Sequence, residues 1–321
     1  MAVAERRFRV MASDAHVITV DADCAAADRA VQLLGRFEQR WSRFLPTSDV
    51  TALNHAGGAP VEVDPTTITL LETMRQAWHL TGHGFDPTVL RSLLAAGYTS
   101  SIVDTAFATS LPTRQHGAAG PRRTIDDLVI DRERRNATLP DGLSIDPGGI
   151  GKGLAADLAV AQLIADGAAG ALVSVGGDIA AAGTPPRSAP IDESTTDGWA
   201  IRVEHPDVVG SAVCTLSVDA GGVATSSTRS RRWVHDGEEI HHLIDPGSGR
   251  PSSTDLAAVT VVARSGWMAE AHATAAALRG AAGVLDHLDR HDASGMALAR
   301  DGRVIATDDL LDALDPWMVP A

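Results

Sequence analysis

The stretch Ile145-Asp146-Pro147-Gly148-Gly149-Ile150-Gly151-Lys152-Gly153 decides how this chain of 321 residues is interpreted. Four of its last six residues are glycine, and an alanine-rich pattern with helical spacing continues to residue 166. Residues 142–145 before it are interpreted as a short strand. Glycine lets the backbone approach a ligand, and a helix N-terminus offers free N–H groups and a positive dipole end to an anion. The stretch therefore predicts a phosphate-binding turn.

Lys152 is the side chain that this turn singles out. It is the only lysine among the 27 Lys and Arg residues of the chain. A compact ammonium differs from a guanidinium as a partner for phosphate or for a proton. We therefore interpret Lys152 as functional, with a surface lysine in the first turn of a helix as the alternative.

Charge and composition exclude several classes of protein. The net charge of −14 argues against binding to nucleic acid or to an anionic membrane surface, so local donors or a metal must hold any anionic ligand. Cys24 and Cys214 provide no disulfide framework. The first ten residues contain no apolar signal core, and no apolar run is long enough for membrane insertion. These features predict a cytoplasmic protein.

The hydrophobic patterns predict an α+β fold with mixed, largely antiparallel sheets and packed helices. Helical spacing is clearest in three segments, at residues 21–41, 65–82 and 266–279. Strands are predicted between them without a regular βαβ alternation, which disfavours a doubly wound sheet. The small residues Gly221–Ser227 are interpreted as a turn.

The length of the chain allows one domain or two closely packed subdomains, residues 1–321 together. Two irregular segments interrupt the pattern. Residues 99–123 are expected to form a surface excursion or lid. Residues 184–198 are rich in proline and acidic residues and are expected to form a mobile insertion.

Glu270 and Thr274 are candidates for metal binding. They stand four residues apart on one face of an expected helix, and a carboxylate and a hydroxyl are hard oxygen ligands suited to Mg²⁺. From spacing alone, a first-turn glutamate and a packed threonine are the favoured alternative. His272 between them is expected at the surface.

His242 is a candidate acid or base. It follows His241 in an expected strand, where one of two neighbouring side chains faces inward. Histidine is the usual acid or base near neutral pH, and a buried structural histidine is the alternative. Together with His235, these residues match no helix-based pair of zinc ligands, so zinc is not expected.

Seven segments in order carry a resemblance to a known family. They are Trp41-Ser42-Arg43-Phe44 with Ser48-Asp49 and Leu53-Asn54, Gly84-Phe85-Asp86-Pro87-Thr88, Asp146 to Gly153, Gly176-Gly177-Asp178, Thr225-Ser226, His242-Leu243-Ile244-Asp245-Pro246 with Gly249-Arg250-Pro251, and Ala269-Glu270-Ala271-His272-Ala273-Thr274-Ala275. Spread over nearly the whole chain, they resemble the ApbE-type FAD:protein FMN transferases. The resemblance implies a T-fold-like flavin transferase architecture. It also implies an Mg²⁺-dependent enzyme that cleaves FAD, attaches FMN through a phosphoester to a Thr or Ser of an acceptor protein, and releases AMP.

The resemblance also implies roles for individual residues. The positions that would bind FAD are Met11, Phe85, Asp86, Asp146, Lys152, Gly177, Asp178, Thr225 and Leu243. Metal would be bound by Glu270 and Thr274, with backbone carbonyls at Gly149 and Gly151. His242 would be the base that activates the acceptor hydroxyl. Lys152 would be the second catalytic residue, next to the pyrophosphate.

Several positions depart from the family pattern. Glu270 stands where the family has aspartate, and Ser227 and Ala12 stand where it has glycine. His241 stands where serine is usual. These departures leave two alternatives to the transferase, namely an FAD-binding module without catalysis and an Mg²⁺-dependent FAD pyrophosphatase that gives FMN and AMP. No internal acceptor motif is found, so the acceptor is expected to be another protein.

Overall fold

The predicted α+β class is confirmed by a computed structural model, which describes residues 1–101, 105–112, 123–186 and 198–311. The helices are α1 Ala26–Trp41, α2 Asp49–His55, α3 Pro65–Leu80, α4 Leu90–Ala95, α5 Gly151–Ala165, α6 Gly266–Arg290 and α7 Asp308–Leu311. The predicted lid at residues 99–123 lies in part outside the described residues, and the predicted insertion at 184–198 lies mostly outside them.

The strands pair antiparallel throughout the described sheets. They are β1 Val3–Val10, β2 Ser13–Val20, β3 Val61–Glu62, β4 Val129–Asp131, β5 Asn136–Thr138, β6 Gly170–Val175, β7 Asp178–Gly183, β8 Trp199–Glu204, β9 Ala212–Val218, β10 Gly221–Ser227, β11 Arg232–His235, β12 Glu238–His241, β13 Ile244–Asp245, β14 Arg250–Pro251, β15 Leu256–Ala263, β16 Ser294–Ala299 and β17 Val304–Ala306. No helix of the described part of the chain has the length and apolar character needed to span a membrane.

The chain divides into two compact units. The first unit is formed by Met1–Gly35, Lys152–Ser230 and Ser253–Ala321, and the second by Arg36–Gly151 and Arg231–Ser252.

An eight-stranded sheet organises the first unit, in the order β1-β2-β6-β7-β10-β15-β16-β17. Helix α6 packs against β7, β10, β15 and β16. The hairpin β8–β9 buries residues such as Trp199 and Leu216 in a core with Leu172, Val223 and Met296 of the sheet. Burial of this apolar surface is the main source of stability for the unit.

Strand β10 corrects one prediction from the sequence. Residues Gly221–Ser227 were expected to form a turn, but they pair with both β7 and β15. The small residues are needed because helix α6 lies close to the strand. A Cβ atom on Gly222 would come within 2.2 Å of the backbone nitrogen of Gly266, at the start of α6.

Helix α6 is broken at Gly280, directly after residue 279, where the predicted helix ends. The first half follows the predicted span, but Gly280 has a φ of 68° and interrupts the helical geometry. The side chain of Asp255 accepts a 2.8 Å hydrogen bond from the backbone N–H of Ala281. It therefore caps the second half, which continues to Arg290 and was not predicted.

Small sheets and the helices α2, α3 and α4 build the second unit. Its three-stranded sheet has the order β3-β5-β4, and β11–β12 and β13–β14 are two-stranded. The turn of β11–β12 contains Asp236 and Gly237, both with positive φ, as the Asp-Gly signal predicts. Phe37 and Trp41 stack with ring centroids 4.5 Å apart inside this unit.

The predicted strand at residues 142–145 is wrong, because Gly142 lies in a turn and residues 143–145 join no sheet. The side chain of Asn54 takes the place of a neighbouring strand. Its Nδ2 donates to the carbonyl of Ile145 at 2.9 Å, and its Oδ1 accepts from the N–H of Ile145 at 2.8 Å. A buried amide thus satisfies the backbone that a sheet would otherwise satisfy.

We expect Gly153→Ala to lower the free energy of unfolding by about 2–3 kcal/mol. A Cβ atom on Gly153 would lie 2.4 Å from the carbonyl oxygen of Gly266, and backbone cannot move aside as a flexible side chain can. Gly35→Ala is the matched control, because nothing lies within 4 Å of its added Cβ in helix α1. The control should gain roughly 0.5–1 kcal/mol from helix propensity. Denaturant unfolding measures the free energy of unfolding of both variants. Equal effects would contradict the close contact between Gly153 and Gly266.

Candidate functional site

Lys152 lies between two buried carboxylates of the first unit. Its Nζ contacts the carboxylate of Asp178 and donates a 3.0 Å hydrogen bond to Oε1 of Glu270. The Asp178 and Glu270 side chains are only 3% and 4% exposed, whereas that of Lys152 is 16% exposed. The cluster carries one net negative charge when all three side chains are ionised. Asp178 begins β7, so the Gly176-Gly177 turn places its carboxylate at the lysine.

At the N-terminus of α5, one of the N–H groups predicted to bind an anion is already bonded within the protein. The N–H of Gly153 donates a 2.8 Å hydrogen bond to Oε2 of Glu270. Helix α6 therefore supplies a carboxylate to the first turn of α5, and this part of the predicted anion site is taken by the protein itself. A glutamate at position 270 thus contacts both the amide of Gly153 and the ammonium of Lys152.

The β1–β2 turn lies beside the same lysine. Met11 and Ala12 form a two-residue loop, and both have positive φ, at 52° and 57°. Positive φ at both positions is the pattern of a type I′ turn, in which non-glycine residues are strained. A Cβ atom on Gly176 would lie 2.7 Å from Oγ of Ser13 and 3.5 Å from Cδ of Lys152. Glycine at 176 thus allows the two turns and the lysine to meet.

Hydroxyl groups line the other part of the candidate site. Thr274 on α6 and Ser226 on β10 share a hydrogen bond of 3.1 Å between their oxygens. Thr225 bonds in the same way to Thr260 at 2.8 Å. Ser227 does not strain the chain, because its backbone is part of β10 and its Oγ donates to the carbonyl of Ala257. The serine in place of glycine is therefore accommodated.

The second unit holds the remaining predicted FAD positions. Asp146 accepts from the N–H of Gly148 at 2.9 Å and pairs with Nε of the buried Arg43 at 3.3 Å. The N–H of Asp146 donates to the carbonyl of Pro87, which joins the glycine-rich stretch to the loop that contains Asp86.

Phe85 and Asp86 stabilise that loop. Phe85 is buried, and its N–H donates to Oγ1 of Thr81 at 3.0 Å. Oδ1 of Asp86 accepts from both the N–H and the hydroxyl of Thr88. Gly149 and Gly151 also belong to this unit, and their predicted part in metal binding stays a prediction.

A cavity of about 290 Å³ opens in the second unit. Arg43, Phe44 and Asn54 are among the residues that line it. The guanidinium of Arg43 lies 4.0 Å from the centroid of the Phe44 ring and donates to Thr109. Arg43 and Asn54 lie in a segment that resembles the family, but they were not predicted as site residues. Buried polar side chains that bond to distant backbone leave no signal in local periodicity.

His242 does not lie in a strand, contrary to the prediction. Strand β12 ends at His241, and His242 forms a bend before β13. Of the two adjacent histidines, His241 is the buried one. Its Nδ1 accepts a 3.3 Å hydrogen bond from the N–H of Leu243. His242 itself is half-buried, and Leu243 is buried, with its carbonyl bonded to Ser252.

The prediction that His272 is exposed is wrong. It is buried between the two halves of α6, and its Nδ1 lies 3.2 Å from Nε2 of His287. His291 completes a group of three rings with centroids about 5 Å apart. Burial lowers the pKa of His272 to about 4 and that of His287 to about 3. Both rings are therefore neutral at neutral pH.

The neutral His272 makes a pH dependence of stability testable. Because its folded-state pKa lies below the unfolded value of 6.5, folding favours the neutral ring, and stability falls as pH drops below 6.5. We expect His272→Leu to reduce the loss of unfolding free energy between pH 7 and pH 5 by about 2 kcal/mol. Denaturant unfolding at the two pH values measures it. An unchanged difference would show that His272 is already protonated in the folded protein.

Comparisons with known proteins identify relatives of this chain. A sequence model of the ApbE family matches residues 11–298. An FAD:protein FMN transferase of Treponema pallidum is 30% identical over 261 residues, which are 78% of this chain and 70% of that protein. An FAD:protein FMN transferase of Klebsiella pneumoniae is 27% identical over 246 residues, which are 75% of this chain and 71% of that protein.

Solved structures share the fold. The ApbE protein of Thermotoga maritima superposes with a TM-score of 0.80 over 98% of this chain and all of that chain, at 23% identity. The flavinyl transferase ApbE of Pseudomonas stutzeri, in its apo form, gives a TM-score of 0.76 over 98% and 97% of the two chains, also at 23% identity. The predicted flavin transferase architecture is confirmed.

Proposed function

Because this chain belongs to the ApbE family, we propose that it is an FAD:protein FMN transferase, the activity for which its curated relatives are named. In the proposed reaction, a hydroxyl oxygen of an acceptor protein attacks the phosphorus on the FMN side of the FAD pyrophosphate. A phosphoester bond forms, the bridging P–O bond breaks, and AMP leaves. The observation that carries the proposal is the buried Lys152 cluster inside the matched residues.

Lys152 is the proposed partner of the pyrophosphate oxygens. Phosphoryl transfer needs negative charge neutralised on the transferred group and the nucleophile held in line. Asp178 and Glu270 already orient the ammonium, so little reorganisation is required when the substrate binds. Glycine at 176 lets Ser13 pack beside the lysine stem, because a Cβ there would lie 2.7 Å from Oγ of Ser13.

Glu270 and Thr274 are the proposed Mg²⁺ ligands of the first unit. A carboxylate and a hydroxyl are donor types that Mg²⁺ prefers. The net negative charge of the cluster around Glu270 favours a cation there. Bound Mg²⁺ would neutralise charge on the pyrophosphate. The residues present therefore fit the metal in donor chemistry and in charge.

The cavity beside Arg43 is the proposed site for one ring system of FAD. Its volume of about 290 Å³ is at the lower end of the range for small-molecule pockets, which suits part of a dinucleotide. Phe44 offers an aromatic ring, and Asn54 and Arg43 are polar groups fixed by their own bonds. His242 is the proposed base that takes the proton of the acceptor hydroxyl.

One incubation separates the transferase from its alternatives. The chain is mixed with FAD, Mg²⁺ and an acceptor protein that carries an Asp-Gly-x-Ser/Thr-Gly/Ala-Ala-Thr motif. The transferase predicts AMP release and an acceptor band with flavin fluorescence that survives denaturation. Free FMN with AMP would indicate a pyrophosphatase, and intact bound FAD a binding module. The controls are an acceptor whose motif hydroxyl residues are replaced by alanine, addition of a chelator, and Thr274→Ala.

A further inference from the structure

Helix α6 begins without a cap of its own. Ser265 occupies the N-cap position with extended backbone, but its side chain makes no capping bond. Its buried Oγ has no hydrogen-bond partner among the described residues. The carboxylate of Asp157, on α5, accepts from the N–H of Gly266 at 2.7 Å and from that of Trp267 at 2.9 Å. A residue of the neighbouring helix therefore satisfies the first turn of α6.

The two helices cap each other. Asp157 of α5 bonds to the first turn of α6, and Glu270 of α6 bonds to Gly153 in the first turn of α5. Glycines allow α5 and β10 to approach the start of α6, because a Cβ on Gly153 of α5 or on Gly222 of β10 would meet the backbone of Gly266 at 2.4 Å or 2.2 Å. The start of α6 is thus held by backbone contact and by two carboxylates.

The carboxylate of Asp157 is buried, and burial disfavours its charged form. Burial raises its pKa to about 6, against the effect of the two N–H groups that bond to it. The charge of Glu270 raises the pKa further. An ordinary capping serine at position 265 would avoid this cost. The carboxylate is nevertheless the group that fixes both N–H groups at the start of α6, one turn before Glu270.

We propose that Asp157 is a positioning residue, which sets the depth and rotation of α6 so that Glu270 and Thr274 face the metal together. The inference rests on the proposed function, because it assumes that these two side chains bind Mg²⁺. Residues that orient metal ligands are commonly needed for affinity, and their loss costs about 10–100-fold. Asp157 touches neither metal nor substrate and acts only through the helix.

The test measures Mn²⁺ binding to the full chain without FAD, by electron paramagnetic resonance. We expect Asp157→Ala to weaken Mn²⁺ binding about tenfold or more. Asp157→Asn should recover part of it, because the amide oxygen still accepts one of the two N–H groups. Ser265→Ala is the matched control and should stay within about twofold of the wild type, since its hydroxyl makes no cap bond. Leu288→Ala, a core truncation in the second half of α6, controls for general loss of stability and should also retain affinity.

Each result decides a separate point. If Asp157→Ala binds Mn²⁺ as the wild type does, the positioning role is wrong while the transferase activity stands. Equal weakening by Leu288→Ala would also overturn it, because the effect would then be general destabilisation. If the wild type releases AMP but binds no Mn²⁺, the metal part of the proposed function fails and this inference with it. Should Asp157→Ala not fold, Asp157→Asn is compared with Ser265→Ala instead and should bind Mn²⁺ more weakly than that control, with faster amide hydrogen exchange at Gly266 or Trp267. Equal Mn²⁺ affinity of these two variants would overturn the positioning role.

Discussion

Replacing Lys152 with methionine is expected to lower the rate of AMP release from FAD by about 100- to 1,000-fold, the usual cost of removing one preorganised electrostatic group. Methionine keeps much of the length of the side chain but removes the ammonium. The ammonium is the group that the carboxylates of Asp178 and Glu270 orient. Single-turnover AMP release at saturating FAD and Mg²⁺ measures the effect on the chemical step.

The same substitution also lowers stability, and a second substitution separates the two effects. Without Lys152, two buried carboxylates are left without the ammonium between them, which is costly. The double variant Lys152→Met/Asp178→Asn removes one of these charges. It should regain much of the lost unfolding free energy and none of the lost AMP release. Recovery of activity together with stability would show that Lys152 has only a structural role.

Lys152→Arg tests whether charge alone suffices. A guanidinium is planar and larger than an ammonium, and the Asp178 side chain that it must reach is only 3% exposed. We expect AMP release between that of Lys152→Met and the wild type. Full activity with arginine would contradict the interpretation drawn from the single lysine of this chain.

Local sequence signals were enough for much of the fold. Ser48 caps α2 and the Asp236-Gly237 turn closes a hairpin, and both residue choices follow short-range rules for caps and turns. Gly221–Ser227 was missed because its small, hydroxyl-rich composition is typical of turns. In the structure that composition serves the close packing of α6 on a strand, a tertiary requirement that overrides propensity.

The candidate site was predictable in its residue types but not in its connections. Lys152, Asp178 and Glu270 were each singled out, yet nothing local shows that they form one ion cluster across 118 residues of sequence. His272 was misplaced because the chain after residue 279 was not expected to fold back as a helix against it. The roles of Asp157 and Asn54 were not predicted for a related reason, because their hydrogen bonds are to backbone groups far away in the sequence.

Replacing His242 with asparagine should lower the rate of FMN transfer by about 100- to 1,000-fold, within the range for loss of a general base. The acceptor hydroxyl would then lose the group proposed to take its proton, whereas FAD binding should be retained. FMN incorporation into the acceptor measures transfer, and quenching of flavin fluorescence measures binding. His241→Gln is the matched control, because His241 is the buried neighbour that accepts from Leu243. It should affect thermal stability more than transfer.

Added imidazole distinguishes a base from a structural histidine. His242→Gly removes the ring and leaves space for a small base, so imidazole in solution should restore part of the transfer rate in a concentration-dependent manner. A side chain needed only for packing would not be replaced in this way, because a freely diffusing ring does not hold the bend between β12 and β13 in place. If His242→Gly binds FAD normally and imidazole restores nothing, another group takes the proton, and the assignment of His242 as the base is wrong.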